Sequence, residues 1–375
     1  MTNIAPDWLS APQTVAVMSA LAGADPLFVG GCVRDALMGR DTADIDICVI
    51  APPQEVMSLA EAAGLSAHPT GLDHGVCTVS VDGRSFEIAT LRRDVATDGR
   101  RAVVAYSINI EEDAARRDFT MNALYATPSG KVLDPLGEGL SDISARRIRF
   151  IGAPEQRIAE DYLRILRFFR FHAQFEIEAM DDAGLQACHA GAAGLSRISA
   201  ERITSEMMKM LGAPDPFPAL NAMGDILSAI LPGAELNASL IANEEAMGLA
   251  SSAQRRLASL KGDWSDWRLS KAEIKHLEAL AADQRPLHEV AYRHGQAVAE
   301  DIAAISGPPE NWREEIESGL AAKFPIKAAD LIEIGFQPGP ELGEAMRALE
   351  ADWITSRFSL SKVELLRLVG DPGSK

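Results

Sequence analysis

Hydrophobic and polar residues alternate in several short stretches of the first 150 residues. CTVSV at 77–81 and FEIATL at 86–91 both have the period-two pattern that is typical of strands with one exposed side. Asp82-Gly83 lies between them and has the composition of a tight hairpin turn. This part of the chain is therefore predicted to contain a hairpin of two antiparallel strands.

From about residue 154 onward the pattern becomes almost wholly helical, with Leu, Ala, Met and Glu at helical spacings and Pro or Gly at the breaks. Three prolines in GAPDPFPAL, residues 212–220, predict a boundary inside this helical part. The sequence therefore predicts an α+β protein. A small mixed β-sheet flanked by helices is expected in residues 1–150, and all-α regions in residues 151–211 and 212–375.

The composition is that of a globular protein of two or three domains, since 47% of its 375 residues are hydrophobic. No apolar run approaches the roughly 20 residues that span a bilayer, and the segment MTNIAPDWLS lacks the features of a signal peptide. The cysteines lie far apart, which is not typical of a zinc site or a disulfide framework. We therefore expect a cytoplasmic protein.

The net charge of -18 at pH 7 argues at first against a nucleic-acid partner, because affinity for phosphate backbones comes largely from Lys and Arg. Arginines are nevertheless concentrated between Arg84 and Arg170, whereas acidic residues dominate much of the rest of the chain. A cationic groove on an acidic protein is therefore compatible with the composition.

Two aspartates lie on the same side of a predicted strand in ADIDICVI, residues 43–50. Asp44 and Asp46 would face one way, and the intervening isoleucines and Val49 the other. Two positions along a strand advance roughly 6.5 to 7 Å, and carboxylates at that spacing can converge on hard cations such as Mg²⁺. Pairs of such ions serve phosphoryl and nucleotidyl transfer. A half-exposed strand with two solvated aspartates is the alternative.

A glycine pair, Gly30-Gly31, follows an apolar run and precedes the short predicted helix VRDALMG at 33–39. Backbone N–H groups there could face a triphosphate held by the same metal ions. Arg34 lies on the first turn of this helix and is a candidate for contact with phosphate oxygens. The alternatives are an ordinary turn for the glycines and a surface ion pair for Arg34.

A second concentration of charge lies in EDYLRILRFFRF at 160–171, which is predicted to be one helix. One acidic and three basic side chains would then share a ridge at a spacing of three residues, namely Asp161, Arg164, Arg167 and Arg170. The aromatic and aliphatic residues between them would face the core. The alternative is an amphipathic helix whose arginines pair with surface acids.

These motifs, in their order, resemble those of the DNA polymerase beta-like nucleotidyltransferase superfamily, through GGCVRDALMG followed by DIDI. More narrowly, the chain resembles the branch of class II tRNA nucleotidyltransferases and bacterial poly(A) polymerases. The further matching stretches are RRDFTMNAL at 116–124, LDPLGEGLSDISARRIRFIG at 133–152, EDYLRILRFFRF at 160–171 and SRISAERITSEMMKML at 196–211. The resemblance covers residues 27–211, and the ordered set is far more specific than any one of its parts.

The resemblance implies a role for each region. Residues 1–150 would form the catalytic head, residues 151–211 a neck that recognises the base, and residues 212–375 a body and tail that hold RNA. In the head, Asp44 and Asp46 would be the catalytic residues and would hold the Mg²⁺ cofactor.

Within the neck, the resemblance assigns Asp161 and Arg164 to the edge of the base. A carboxylate accepts from the exocyclic amino group that cytosine and adenine present, and a guanidinium donates to their ring nitrogen. Guanine and uracil present the opposite polarity and would leave both side chains unpaired. Arg167 and Arg170 would then lie nearer the phosphates.

In the head, the resemblance implies that Arg117 contacts the incoming triphosphate and that Asp118 positions it. A guanidinium offers forked donors suited to phosphate oxygens and to the charge that develops during transfer. The neighbouring residues have local interpretations, with Arg116 as a solvated charge and Asn122 as a local hydrogen-bonding group.

Two further features of the head concern acids and a loop. Glu87 is a candidate for a third acidic residue near the metals. RRDVATDGRRAVVAYSINIEEDAA at 92–115 is predicted to be a long charged loop. By resemblance it would take part in the change from cytosine to adenine addition, and the alternative is a surface insertion. No histidine lies in a zinc-like cluster, and His74 is expected to hydrogen-bond locally.

The implied activity is Mg-dependent, template-independent addition or repair of the 3'-terminal CCA of tRNA, from CTP and ATP with release of pyrophosphate. The partners would be the tRNA 3' end and these two nucleotides, with no membrane and no obligate protein partner. A bacterial poly(A) polymerase is the nearest alternative, because the same site residues would serve. A CC-only or A-only enzyme and a non-catalytic RNA-binding protein are the remaining alternatives.

Overall fold

The chain divides into two compact units, Met1–Ile230 and Leu231–Lys375. The computed structural model describes residues 2–42, 44–72, 75–98, 101–177, 179–282 and 285–369, with the backbone alone for 93–98, 101–106 and 282. The boundary predicted within residues 212–220 precedes the division between the units. The finer division into head, neck and body stays a prediction.

The first unit contains a mixed β-sheet. The strands are β1 (Leu27–Val29), β2 (Asp46–Val49), β3 (Ser66–Gly71), β4 (Val76–Val81), β5 (Arg84–Thr90), β6 (Arg92–Asp98), β7 (Arg101–Tyr106), β8 (Tyr125–Ala126) and β9 (Val132–Leu133). Seven form one sheet in the order β3-β4-β5-β2-β1-β8-β9, and β6 pairs with β7 separately. Among the described strands, β2 and β5 pair in parallel and the other adjacent pairs are antiparallel. The predicted mixed sheet is confirmed.

Helices flank this sheet and make up the rest of the first unit. They are α1 (Asp7–Ser10), α2 (Pro12–Ala20), α3 (Gly31–Leu37), α4 (Pro53–Ala62), α5 (Ile110–Ala115), α6 (Gly139–Ser144), α7 (Pro154–Glu160), α8 (Leu163–Phe175), α9 (Asp182–Gly191), α10 (Ala200–Leu211), α11 (Phe217–Met223) and α12 (Asp225–Ile230). Short 3-10 turns lie at Ala22–Ala24, Thr120–Asn122 and Ala192–Arg197. In the described part of the chain, every element from Pro154 onward is helical, so the α+β prediction is confirmed.

The central strands are buried on both sides. In β2, Ile47 and Val49 belong to one hydrophobic core and Cys48 to a second one. Because successive side chains of a strand point to opposite faces, Asp46 lies on the same side of the sheet as Cys48. The predicted alternation is confirmed from Asp46 to Val49, and it sets the direction of Asp46. The placement of Asp44 on the same strand is wrong, because β2 begins at Asp46.

The predicted hairpin is also present. Asp82 and Gly83 connect β4 and β5 with φ angles of 46° and 77°. Two successive positive φ angles are typical of a type I′ turn, whose twist matches that of the flanking strands. The turn thereby fixes the register of β5, which carries Glu87 next to β2.

The stretch 92–115 was predicted to be a loop, and that prediction is wrong. Its described residues form the antiparallel strands β6 and β7, followed by helix α5. The charged and turn-forming residues of this stretch masked the strand-forming run RAVVAY at 101–106. Gly99 and Arg100 lie outside the described residues.

Aromatic side chains join the strand-rich part of the first unit to helix α8. Phe150 and Phe168 stack with their ring centroids 5.5 Å apart, and Phe119 lies 4.7 Å from Phe150. All three rings are buried. Offset aromatic contacts of this kind stabilise beyond the apolar area that they bury. Helix α8 is therefore held firmly against the segments that carry Phe119 and Phe150.

The second unit is helical in its described residues. Its helices are α13 (Leu240–Met247), α14 (Ala253–Ser259), α15 (Lys271–Ala282), α16 (Leu287–His294), α17 (Gln296–Ser306), α18 (Trp312–Ala321), α19 (Ala328–Glu333), α20 (Pro340–Thr355) and α21 (Lys362–Leu368). A core around Trp353 and Leu349 holds the last three helices. Across the described residues, no helix is both long and apolar enough to cross a membrane.

A buried charge network lies inside the second unit. Glu244 accepts from Arg255 Nη1 and from Arg256 Nη2, each over 2.8 Å. Asp301 accepts from Arg255 Nε over 2.7 Å and contacts His276 Nε2 over 2.7 Å. Glu244 is 3% exposed, so its charge depends on these partners instead of on water.

We expect Glu244→Ala to lower the free energy of unfolding by about 3 kcal/mol, because it leaves two buried guanidiniums without their shared carboxylate. Denaturant titration should report this loss as a lower midpoint. Glu245→Ala is the matched control, since Glu245 is the next residue of α13 and is exposed. A Glu244→Ala midpoint within error of the control would contradict the prediction.

Candidate active site

Two acidic side chains meet on neighbouring strands at one end of the sheet. Asp46 is the first residue of β2, and it lies opposite Glu87 of β5 in the parallel register. Asp44 is exposed and precedes the strand. The structure therefore brings the sequence candidate Glu87 next to Asp46, while Asp44 lies just outside the sheet.

The carboxyl group of Asp46 has an unusual electrostatic environment. Burial and the negative charge of Glu87 raise its pKa to about 6, with a further contribution from Asp44. The guanidiniums of Arg117 and Arg34 act in the opposite direction but do not cancel the effect. Acidic groups crowded with incomplete compensation favour a cation between them.

The donors here suit a hard divalent cation, because they are carboxylate oxygens. Among the described residues, no group of three or more His, Cys, Asp or Glu is placed to hold a metal ion. His74 lies outside the described residues.

The glycine pair allows two guanidiniums to approach the backbone. Gly30 has a φ of 74°, and a Cβ built there would lie 3.4 Å from Arg117 Nη1. A Cβ on Gly31 would lie 3.6 Å from Arg34 Nη2. Glycine thus serves the first position by its positive φ, while both distances are ordinary van der Waals contacts and show that a guanidinium lies beside each glycine. Arg34 and Arg117 meet at the predicted phosphate-binding segment.

A buried carboxylate that sequence reasoning missed holds Arg117 in place. Asp113 is 1% exposed; its Oδ2 accepts from Arg117 Nη2 over 2.9 Å and from Tyr125 Oη over 2.7 Å. Burial alone would raise the pKa of Asp113, but Arg117 and Arg116 lower it to about 2. The spacing of three and four residues on α5 was the available signal. Arg116 also binds Asp113, so its interpretation as a solvated charge is wrong.

The predicted partner of Arg117 is a different residue in the structure. Asp118 does not pair with Arg117; its Oδ2 accepts from Arg167 Nε over 2.7 Å, and its Oδ1 accepts from Asn122 Nδ2 over 3.0 Å. Burial would raise the pKa of Asp118, yet Arg167 and these hydrogen bonds hold it below its usual range. The prediction was wrong because the arginine that binds Asp118 lies 49 positions away in the chain, and neighbouring positions in the sequence carry no information about such a partner.

The stretch 160–171 is not one helix. Asp161 has extended backbone angles between α7 and α8, and its Oδ1 accepts from Leu163 N over 3.1 Å. Aspartate side chains bind nearby backbone N–H groups and so favour helix starts over helix interiors. Asp161 therefore does not share the predicted ridge. Arg164, Arg167 and Arg170 do lie on α8 at that spacing.

The two predicted base-reading residues are held by neighbours. Arg202 of α10 binds both carboxylate oxygens of Asp161, with Nη2 to Oδ2 at 2.6 Å. Arg164 Nη1 donates to Glu160 over 2.6 Å, and Arg164 Nη2 donates to the carbonyl of Arg116 over 3.0 Å. Arg202 and Glu160 were not among the site residues predicted from the sequence. Arg202 fixes the orientation of Asp161, and Glu160 that of Arg164, the two residues predicted to face a base.

Two of the predicted nucleotide-binding arginines are buried. Arg170 is 8% exposed and donates to Glu206 over 2.6 Å and to Gln174 over 2.8 Å. These are the contacts of a structural ion pair, so we leave Arg170 out of the proposed nucleotide contacts. Arg34 is also buried, so the ion pair considered for it does form with the neighbouring acid, Asp35, over 2.8 Å, but it does not lie at the surface. Its guanidinium nevertheless reaches the glycine pair.

Family models and curated proteins match this chain in sequence. Residues 27–149 match the family described as Poly A polymerase head domain, and residues 179–235 match one described as probable RNA and SrmB-binding site of polymerase A. The mitochondrial CCA tRNA nucleotidyltransferase 1 of Mus musculus is 30% identical over 370 residues, which cover 91% of this chain and 85% of that protein. The CCA-adding enzyme of Geobacillus stearothermophilus is 32% identical over 368 residues, 87% of this chain and 88% of that protein.

Solved structures of CCA-adding enzymes are also similar to this chain. The crystal structure of the Bacillus stearothermophilus CCA-adding enzyme in complex with CTP has a TM-score of 0.75 and 28% identity, with 92% of each chain covered. The Thermotoga maritima CCA-adding enzyme, in a complex with tRNA, shares the fold with a TM-score of 0.68 at 19% identity, over 94% of this chain and 93% of that chain. The resemblance in the ordered motifs is confirmed, and the chain belongs to the family of class II CCA-adding tRNA nucleotidyltransferases.

Proposed function

We infer that this protein adds or repairs the 3'-terminal CCA of tRNA without a template, using CTP and ATP and releasing pyrophosphate. The observation that carries this inference is the similarity to CCA-adding enzymes along 87% of the chain, which includes the helical regions beyond the catalytic head. A head domain alone would be shared with poly(A) polymerases. The neighbouring carboxylates of Asp46 and Glu87 at the end of the sheet support this inference, because nucleotidyl transfer uses metal ions held by carboxylates.

Membership of this family implies a requirement for a divalent metal. We propose that the metal is Mg²⁺ and that Asp44 and Asp46 hold it, with Glu87 as an acidic neighbour. Bound there, the metal supplies Lewis-acid stabilisation of the triphosphate and of the attacking hydroxyl. The protein's own contribution is to keep Asp46 at the start of a rigid strand, where its direction is set by the buried residues that follow it.

The triphosphate would lie against the glycine pair. We propose that Gly30 and Gly31 leave room for it, and that Arg117 and Arg34 donate to its oxygens. Arg117 is suited to this role because Asp113 holds it in one orientation while its side chain stays 21% exposed. A fixed cation stabilises charge that develops in the transition state without the cost of reorganisation.

The base would lie between Asp161 and Arg164, with Arg167 nearer the sugar and phosphates. Among the described residues, the partners of Arg164 occupy three of its five N–H groups, so the Nε–H and one Nη2–H are available to a base. The carboxylate of Asp161 can accept from the amino group of cytosine or adenine. This pair of polarities would reject guanine and uracil.

The second unit would hold the tRNA by its backbone and shape, and not by its sequence. Because the chain is acidic overall, this contact must come from local groups of Lys and Arg such as those in RLSKAEIK. Cytoplasmic placement stays a prediction from the sequence.

An addition assay tests the proposed function directly. Purified protein, Mg²⁺, CTP and ATP are mixed with labelled transcripts that end before CCA, after CC, or in an arbitrary sequence. We expect ordered addition of two cytidines and one adenosine, followed by termination. Asp46→Asn should lower the rate at least about 100-fold, because it removes a metal-binding charge. Asp41→Asn, at an exposed carboxylate close by in the chain, is the control and should retain activity.

Other outcomes of this assay distinguish the alternatives. Long adenosine tails on arbitrary RNA would identify a poly(A) polymerase. Addition that ends after the cytidines, or that needs a preformed CC end, would identify a CC-only or A-only enzyme. RNA binding without any addition would leave a non-catalytic RNA-binding protein.

Metal affinity should depend on pH, because Asp46 has a raised pKa beside Glu87. Because the pKa of Asp46 is raised to about 6, protons compete with metal below that pH. Calorimetric Mn²⁺ or Mg²⁺ binding to the nucleotide-free protein should weaken by about tenfold per unit below pH 6 and level off above it.

Variants make this pH dependence specific to the site. Glu87→Gln removes a charge that raises the pKa of Asp46, so the bend in the affinity profile should move to lower pH. Glu61→Gln, at an exposed residue of α4, should leave the profile unchanged. Affinity that does not vary between pH 5 and pH 7 would count against the assignment of Asp46.

Base selection should depend on the residue that holds Asp161. Arg202→Met removes the two guanidinium donors to that carboxylate, so we expect the ratio of kcat/KM for CTP over UTP to fall by about tenfold. Lys209→Met on the same helix is the control, since the Lys209 side chain is 60% exposed and its ion pair is with Glu206 instead of Asp161. Unchanged discrimination in Arg202→Met would show that Asp161 does not read the base through this arrangement.

A further inference from the structure

Four polar side chains form a continuous hydrogen-bonded chain between helices α3 and α8. Arg34 Nη1 donates to Asn122 Oδ1 over 2.6 Å, and Asn122 Nδ2 donates to Asp118 Oδ1 over 3.0 Å. At the far end, Arg167 Nε donates to Asp118 Oδ2 over 2.7 Å. The first three residues of this chain are each at most 8% exposed, so the bonds lie largely out of water. Buried hydrogen bonds in such an environment are strong and directional.

Of the four hydrogen-bonded side chains, Asn122 is the one that must both accept and donate a hydrogen bond. Its amide oxygen accepts from a cation, and its amide nitrogen donates to a carboxylate. A carboxamide can do both at once, whereas an ionised carboxylate can only accept and an apolar side chain can do neither. The sequence had suggested only a local role for Asn122. The structure instead places it between residues that are 88 and 4 positions away in the chain.

The groups at both ends of the chain are fixed by further bonds. Arg34 donates from Nε and Nη2 to the two oxygens of Asp35, over 2.8 and 2.9 Å, which leaves Nη1 directed at Asn122. Near the other end, Asp118, which accepts from Arg167, also accepts at Oδ1 from the backbone N–H of Phe119 over 2.8 Å. A displacement at one end of this chain must therefore be taken up at the other end.

An aromatic ring provides a second connection between the same two arginines. The guanidinium carbons of Arg34 and Arg167 lie 5.1 and 5.3 Å from the centroid of the Phe171 ring, which is itself buried. Cation–π contacts of partly desolvated arginines add to the attraction. Because Phe171 and Arg167 both belong to α8, a shift of this helix would change the surroundings of Arg34 through two contacts.

We propose that Asn122 is a positioning residue that couples the seating of the base on α8 to the placement of the triphosphate by Arg34. The proposal rests on the function inferred above. A base that fits Asp161 and Arg164 fixes α8, and through Asp118 and Asn122 this fixes Arg34 beside the glycine pair. A base that does not fit leaves the triphosphate poorly aligned, so discrimination extends into the rate of the chemical step.

A purely structural role for Asn122 is the competing explanation, and a matched control separates the two. Thr120 belongs to the same 3-10 turn, is 1% exposed and donates to Asp142 over 2.6 Å, outside the hydrogen-bonded chain. Thr120→Val and Asn122→Leu each remove one buried polar group from this turn. Both should lower the unfolding midpoint, but only the second interrupts the coupling.

The first experiment measures kcat and KM for CTP and UTP on a tRNA that lacks CCA. In Asn122→Leu we expect kcat for CTP to fall about tenfold with a smaller change in KM, and the ratio of kcat for CTP over UTP to narrow. Thr120→Val should keep the wild-type ratio. The proposal is overturned if Asn122→Leu discriminates as well as Thr120→Val. Failure of the wild-type protein to add CTP would count against the inferred function and not against the coupling.

A second variant keeps the test valid if Asn122→Leu does not fold. Asn122→Asp has nearly the same shape and still accepts from Arg34, but its ionised carboxyl repels Asp118. We expect its discrimination to be impaired at about pH 8 and to recover relative to wild type as the pH is lowered toward about 6, because the protonated carboxyl can donate again. Discrimination at the wild-type level at about pH 8, or an absence of recovery at low pH, would refute the polarity argument.

Discussion

The carboxylate of Asp113 is almost completely buried, and it binds the guanidiniums of Arg116 and Arg117. Held in this way, Arg117 stays against Gly30, where a triphosphate is proposed to lie. The backbone carbonyl of Arg116 also accepts from Arg164, so the same arrangement reaches the residues proposed to read the base. The cations of the site are thus oriented before substrate binds, which is the condition for electrostatic stabilisation at low cost.

The carboxylates of the site fall into two electrostatic classes. Arginine partners hold the pKa values of Asp113 and Asp118 below their usual range, so both stay ionised and structural. Asp46 lies beside Glu87 and has its pKa raised, so its charge is compensated only in part within the protein. This separation explains how a chain with a net charge of -18 can bind a polyanion: cations are concentrated locally, and the uncompensated acids are those proposed to hold a metal.

Much of the fold was predictable because its signals are local in the sequence. The alternation around Asp46 and the Asp82-Gly83 turn depend on neighbouring residues, and the change to helices after residue 154 depends on a period of a few residues. The roles of Arg170 and Asp161 were not predictable in the same way. Their partners lie 36 and 41 residues away in the chain, and periodicity carries no information about such pairs. Asp161 also bonds to the backbone two residues ahead, which ended the expected helix.

The contact between α3 and α8 combines two kinds of interaction with different consequences. Phe171 and Phe175 stack with centroids 5.6 Å apart beneath the guanidinium of Arg34, and such contacts hold the helices together but tolerate small sliding movements. The hydrogen bonds of Asn122 tolerate much less, because their strength depends on distance and angle. An apolar residue at this position would keep the helices in contact without fixing their register. The buried polar chain therefore adds positional precision, and an enzyme that selects bases without a template depends on that precision.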